Sequence, residues 1–323
     1  QTSEARGSTV TAGGNVNLTA TGSGAKDGAG KAADGDITVI GSTVSGQNVT
    51  LDAAKDINLK GSDNTSVSKT TSGSQGAGVG VQLGKEGFGA YVEGSQSKGK
   101  ENGTIITHTE TVVEARDTLN LEAGRDINLE GAKAKGGVVK AEAGGDVKLR
   151  SQQNIDDYQA RSRSAGGRIG ISNMPSIFTF NKSKMDSTYA SVIDQTGIYA
   201  GQGGFDITVG GNTDIKGAVI GSEATPDKNS LNTGTLTWSD IENEAEYKAT
   251  SSRVGFGISK DGKVSLPTPT PSIPVSDDAD STTKAAISPG TIIVRDNPNQ
   301  DLSGLSRDTA NALNKLDKIF DKK

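Results

Sequence analysis

One motif returns every 20 residues, and it constrains the fold of this chain more than any other feature. Asp36-Ile37-Thr38-Val39 is followed 20 positions later by Asp56-Ile57-Asn58-Leu59. Asp126-Ile127-Asn128-Leu129 is followed 20 positions later by Asp146-Val147-Lys148-Leu149, and Asp206-Ile207-Thr208-Val209 comes three periods on. Asn15-Val16-Asn17-Leu18 opens the series. A fixed period of this length predicts a solenoid, in which each repeat buries its apolar face only against its neighbours. The triplets alternate apolar–polar–apolar, the signature of a strand, and helical spacing is absent from them. Gly, Asp or Asn precedes most triplets and marks a turn.

The intervals subdivide the period. Ile37 to Val49 spans 12 residues and Val49 to Ile57 spans 8, so each coil holds two clear strands. A weaker third strand is expected near Val44 and Ala134. One coil rises by one strand spacing, ~4.8 Å, and equivalent apolar residues stack into interior ladders. The expected fold class is all-β: a parallel β-helix with antiparallel hairpin excursions and a C-terminal helix.

Composition agrees with thin coils and many turns. Apolar residues make up 32 % and aromatics 4 %, while glycine contributes 44 residues. A net charge of −5 and no clustered Lys/Arg stripe do not suggest nucleic-acid binding. The absence of cysteine excludes disulfides and thiolate metal sites. No apolar stretch has the ~18–20 residues of a membrane helix. Gln1 is not an initiator and the repeats begin almost at once, so the chain reads as a segment of a longer protein.

Regular coils are expected over roughly 8–61, 112–151 and 203–222, within a β-helical region 1–300. Excursions interrupt them near 62–111, 152–200 and 241–294. In the first, Gly78 to Leu83 and Phe88 to Val92 flank Gly84-Lys85-Glu86-Gly87 as a hairpin. The second carries Arg168 to Ile171, a turn region at Met174-Pro175, and Ile177 to Phe180. The third carries Val254 to Ile258, a turn at Lys260 to Lys263, and Val264 to Leu266. Beyond it lies a proline-rich stretch with Pro267, Pro269, Pro271 and Pro274, expected to be extended and mobile. The edges of such hairpins invite pairing with one another. Leu302, Leu305, Leu313, Leu316, Ile319 and Phe320 fall at helical spacing, so 301–323 is expected to be an amphipathic helix.

Little in the chain suggests catalysis. His108 is the single histidine and reads as a strand residue. Glycines 76–89 do not open a helix, and Gly84-Lys85 is followed by Glu86, so no phosphate-binding loop is present. The Asp residues before strands lack the nonapeptide period of a calcium-binding β-roll. No carboxylate pair stands out as acid and base. The expectation is a non-enzymatic chain with no cofactor, no metal site and no nucleic-acid partner.

Glycine alternates with aliphatic or aromatic residues in 77–92, 168–180 and 254–266. The residues so placed are candidates for membrane or partner contact: Val79, Val81, Leu83, Phe88, Tyr91, Ile169, Ile171, Phe178, Phe180, Phe256 and Ile258. Two fates are open to the larger of these, and to Trp238: packing on the rod, or an exposed surface for a protein or a bilayer.

Together these segments resemble a known family. Ala12 to Leu18 and Ala123 to Leu129 are similar to the haemagglutinin repeats of filamentous-haemagglutinin-like exoproteins. Gly197 to Gly201, Gly203 to Val209 and Leu231 to Leu236 resemble the second repeat region of CdiA-type contact-dependent growth inhibition effectors. Leu305 to Lys322 looks like the segment before the pretoxin domain of that family. The resemblance implies a right-handed β-helix, two-partner secretion to a Gram-negative cell surface, and a periplasmic holding stage before delivery. It implies a role in carrying a C-terminal toxin across the target cell's outer membrane. The implied partners are that membrane and the rest of the effector: receptor-binding region, pretoxin and toxin. Self-association through the excursion strands is a further expectation. The alternative function is the shaft of a filamentous adhesin.

Removing one whole coil, 37–56, should leave a folded protein, whereas removing ten residues breaks the register and should not. Thermal melts compare the two; equal damage from both would count against a β-helix.

Overall fold

The computed structural model describes residues 1–84, 87–172, 174–265, 267–270 and 274–320. The Lys85-Glu86 turn, Leu266, Pro271 and the last residues of the C-terminal segment lie outside them. Three walls of parallel strands form the rod. The first stacks Ile37–Ile40, Ile57–Lys60, Ile127–Glu130 and Val147–Arg150, then 213–216 and 236–239. The second stacks Val16–Ala20, Val49–Ala53, 119–123, 139–143, 205–209, 231–233 and Thr291–Val294. The third stacks Thr9–Thr11, Thr43–Gly46, 112–115, 133–136, 197–200, Val219–Ser222 and Ala286–Ile287. The weak strand at Val44 and Ala134 is therefore a complete wall. This is a parallel β-helix, and Leu51, Leu59, Leu121, Leu129, Leu149, Ile207 and Ile215 are fully buried inside it. Each such side chain contributes roughly 1.5–3 kcal/mol of burial.

The Asp before the first four first-wall strands has a specific task. Asp36 Oδ1 accepts the amide of Asp56 at 3.1 Å, and Asp56 Oδ1 accepts that of Asp126 at 3.0 Å. Asp126 accepts the amide of Asp146 at 2.8 Å, and Asp146 that of Asn212 at 2.9 Å. Each carboxylate thus satisfies a corner donor one coil away, which explains the recurring Asp at 36, 56, 126 and 146. Asp206 to Val209 and Asn15 to Leu18, though alike in sequence, stand in the second wall, and Asn212 takes the next corner position of the first-wall series. Asn128 donates from its side chain to Asn58 Oδ1 in the same manner, at 3.0 Å.

The steps along this ladder are 20 residues or 70 and 66, the long ones being coils that carry an excursion. All three excursions leave from one corner, after Lys60, Arg150 and Ser239, at the end of first-wall strands. They leave from every second coil. In the coils between, Gly41, Gly131 and Gly217 turn the same corner at φ of 54°, 65° and 53°, where a Cβ is disfavoured. The alternation has a metric cause. Two coils rise ~9.6 Å, and one hairpin, two strands wide, occupies the same ~9.6 Å.

The hairpins consequently merge into one antiparallel sheet, a fin standing out from the rod. Ser62–Gly84 pairs with Gly87–Thr109, which pairs with Gln153–Ser172. That strand pairs with Ser176–Val192, which pairs with Ile241–Ile258. Val275–Thr283 and Thr268–Thr270 complete the far edge. At ~3.4 Å per residue, the 23-residue strands reach about 75 Å. The proline-rich stretch is extended where described, with Pro269 opposite Val254 in a three-residue edge strand.

The C-terminal helix is not formed; none of 301–320 is helical. Apart from a turn in which Leu305 N donates to Leu302 O, the backbone–backbone bonds there run to the rod and the fin. Ile287 N donates to Ser306 O at 3.0 Å, Lys284 N to Ala312 O at 2.8 Å, and Thr283 Oγ1 to Leu313 O at 2.6 Å. Arg307 caps the last coil by donating to the carbonyls of Ile287, Ser288 and Gly290. Leu305 is buried against the end of the core. An exposed coil end offers more unpaired backbone than a lone helix can match.

Removing 127–146, the coil between the first two hairpins, should separate the fin while sparing the rod. Hydrogen exchange over 89–106 and 155–172 should then rise strongly, whereas removing 37–56 should leave it unchanged. Equal protection in both deletions would contradict the pitch match.

Candidate functional site

In an antiparallel sheet, cross-strand partners share a face and successive residues alternate between faces. Val79 pairs with Val92, Val81 with Ala90 and Leu83 with Phe88. Val92 and Ala90 pair onward with Ile169 and Ile171. Gly167 and Ala165, on that same face, pair with Phe178 and Phe180. These in turn pair with Phe256 and Val254, and Ile258 lies opposite Ser176. Ten of the eleven candidate residues therefore share one face of the fin's outer end, here called the front. Tyr91 is the exception and lies on the back.

The partner positions explain the glycines. Gly78, Gly80, Gly89, Gly170, Gly255 and Gly257 are on the back, so a segment that alternates Gly with an apolar residue makes one apolar face and one bare face. Tyr91 lies across that bare face: a Cβ at Gly80 would come within 2.4 Å of its ring. Arg168 sits over the same ring, 5.4 Å from its centroid.

The front side chains do not pack on the rod. Val79 and Leu83 are 83 % and 82 % exposed, and Val81, Phe88, Ile169 and Ile171 are also exposed. Phe178 and Phe256 stack with centroids 5.0 Å apart, and Phe180 lies 6.3 Å from Phe256. Gly167 permits this, since a Cβ there would approach the Phe178 ring to 2.6 Å. Trp238 takes the other fate and packs against the rod core. From the row of Gln75 and Phe180 to that of Leu83, the apolar zone is about nine residues tall, close to the ~9–11 of a membrane-spanning strand.

At the base, the back face is covered by the C-terminal segment. Phe320 stacks on Tyr158 and Tyr247, and Lys318 pairs with Asp156. Tyr189 donates its hydroxyl to Leu316 O at 2.8 Å, and its burial raises its pKa. His108 bridges strands at the base: Nδ1 is 2.9 Å from Asp63 Oδ1 and Nε2 is 3.0 Å from the carbonyl of Gln153. Among the described residues no group of His, Cys, Asp or Glu could hold a metal. No helix of the described residues is long and apolar enough to cross a membrane, which leaves strands unaddressed.

The basic residues correct the sequence reading. Lys98, Arg163 and Lys182 form one cross-strand row on the front, and Lys100, Arg161 and Lys184 form the next. Three strands supply this cluster, so no linear stretch reveals it.

The family model described as hemagglutinin repeat matches residues 1–167. The chain is 38 % identical over 98 % of its length to the tRNA nuclease CdiA of Yersinia mollaretii, covering 11 % of that protein. It is 40 % identical over 98 % of its length to the tRNA nuclease CdiA of Escherichia coli NC101, covering 10 %. Against the deoxyribonuclease CdiA of Yersinia pseudotuberculosis it is 37 % identical over 98 %, covering 30 %. The chain thus spans about a tenth of the first two relatives and under a third of the other. No solved structure shows significant similarity to it.

The folded protein should bind an environment-sensitive hydrophobic dye at the fin's end. Val79→Asp, Val81→Asp and Ile169→Asp together should remove most of that signal, each changing stability by no more than about 0.5 kcal/mol, as surface substitutions do. Unchanged dye fluorescence would place the accessible apolar surface elsewhere.

Proposed function

The chain belongs to the hemagglutinin-repeat family, and from that membership and its CdiA relatives we propose that it is a toxin-delivery module of a contact-dependent inhibition effector. It promotes transfer of a C-terminal toxin across the target bacterium's outer membrane and does so without catalysis of its own. It acts after secretion to the producing cell's surface, as one segment of a much longer chain. The rod holds the fin, and the front of the fin meets the target membrane.

The observation that carries this reading is the one-sided apolar end of the fin. Contiguous exposed apolar surface is costly in water and marks a contact with protein or lipid. Burying one of these aliphatic or aromatic side chains fully is worth roughly 1.5–3 kcal/mol. Apolar residues on one face and glycine or polar residues on the other is also the pattern of a membrane β-strand. The outer edge of Ser62–Gly84 pairs only near its base among the described residues, where Thr65 and Ser66 meet Thr2–Ser3. Full insertion would need that edge paired, because lipid leaves no partner for open backbone. The face alone can sit at the interface without that closure.

Val81→Asp, Ile169→Asp and Phe178→Asp should abolish killing of target cells while secretion and surface display of the full effector remain. Undiminished delivery by the triple variant would refute the reading and favour a passive shaft.

A further inference from the structure

We infer that the front of the fin also carries a recognition band for anionic lipid headgroups, immediately beside its apolar end. This rests on the membrane-contact reading above and adds a lipid class to it. The band is the two rows Lys98, Arg163, Lys182 and Lys100, Arg161, Lys184, all exposed. Lys184 is paired with Asp186 at 2.5 Å, and none of the other five forms an ion pair with a described residue.

Folding does not explain the band. Like charges directly opposite one another destabilise a sheet, and here three cations adjoin in each of two rows. The chain is net acidic, at −5, so the cluster does not follow from composition. Gly73 stands beside Lys98 on the front, leaving that end of the cationic row open to a ligand.

Position identifies the ligand. Along the front, the order from tip to base is apolar, then basic, then acidic. Val81, Ile169 and Phe178 lie in the first zone. Near the base, Glu246 pairs with Asp278 and Glu244 with Asp280, both pairs exposed and on the front. A surface with an apolar interior and an anionic rim complements this order: the tip enters the interior, the basic rows meet the headgroups, and the acidic base is held off. A lipid bilayer bearing anionic phosphates has that profile. Each Lys or Arg close to such a surface favours binding by about fivefold, an effect that fades beyond a Debye length. A nucleic acid would satisfy the cations and leave the adjoining apolar zone unused.

The test is co-flotation of the 323-residue chain with phosphatidylcholine vesicles, with and without phosphatidylglycerol. The wild type should bind the anionic vesicles at least about tenfold more tightly, and added salt should erase the difference. Lys98→Gln, Arg163→Gln and Lys182→Gln together should remove the preference while keeping the weaker binding to neutral vesicles. The same charge change on the rod, Lys140→Gln, Lys148→Gln and Lys216→Gln together, should keep it. Thermal melts of the fin variant should show no loss of stability, since repulsion is relieved. Equal binding to both vesicles, or an unaltered preference in the fin variant, would overturn the band and leave the apolar contact standing. Binding to neither vesicle would overturn both. Full competition by inorganic phosphate or by single-stranded DNA at matched phosphate would overturn the lipid assignment.

Discussion

One spacing governs this molecule. Strands in a sheet repeat at ~4.8 Å, and so do the coils of a β-helix, because a coil is one strand tall on each wall. The fin is attached along the rod, so its strands must repeat at the same interval. A hairpin adds two strands, hence a hairpin can leave only every second coil if the sheet is to be continuous. The chain obeys this: excursions follow Lys60, Arg150 and Ser239, while Gly41, Gly131 and Gly217 close the corner between them. The rod thereby sets the register of a sheet whose outer end has no core beneath it. Only at the base does the C-terminal segment brace the back, through Phe320 between Tyr158 and Tyr247.

A second consequence concerns chemistry. Register fixes which side chains share a face, so the apolar residues of three distant segments converge. Val81, Ile169 and Phe178 are far apart in the chain yet belong to one surface. The basic rows arise in the same way, and so does the acidic base. The order of these zones along the fin is a property of strand pairing, which makes it sensitive to any change in coil number.

Much of the rod was legible in the sequence, because a 20-residue period with alternating triplets has few other solutions. The recurring Asp was visible as a turn signal, but its bond to the next coil's amide needs the stacking to be seen. The apolar ends of the hairpins were visible as Gly/apolar alternation; that ten of those residues share a face was not, since it depends on pairing between hairpins. Tyr91 shows the limit, being apolar in pattern and yet on the back. The basic band was invisible because each strand contributes only two cations to it. The C-terminal segment misled for a physical reason: leucines at helical spacing describe a buried stripe, but the exposed last coil takes up the backbone of Ser306, Ala312 and Leu313 that a helix would need.

The central claim is that one face of the fin, and not the other, meets lipid. The chain has no cysteine, so a single one can be placed at will. An environment-sensitive fluorophore at Val81→Cys, on the front, should shift to the blue and resist aqueous quencher when outer-membrane vesicles are added. The same label at Gln82→Cys, one residue away on the back, should show neither change. Equal responses at the two positions, or a response only at Gln82, would contradict the account.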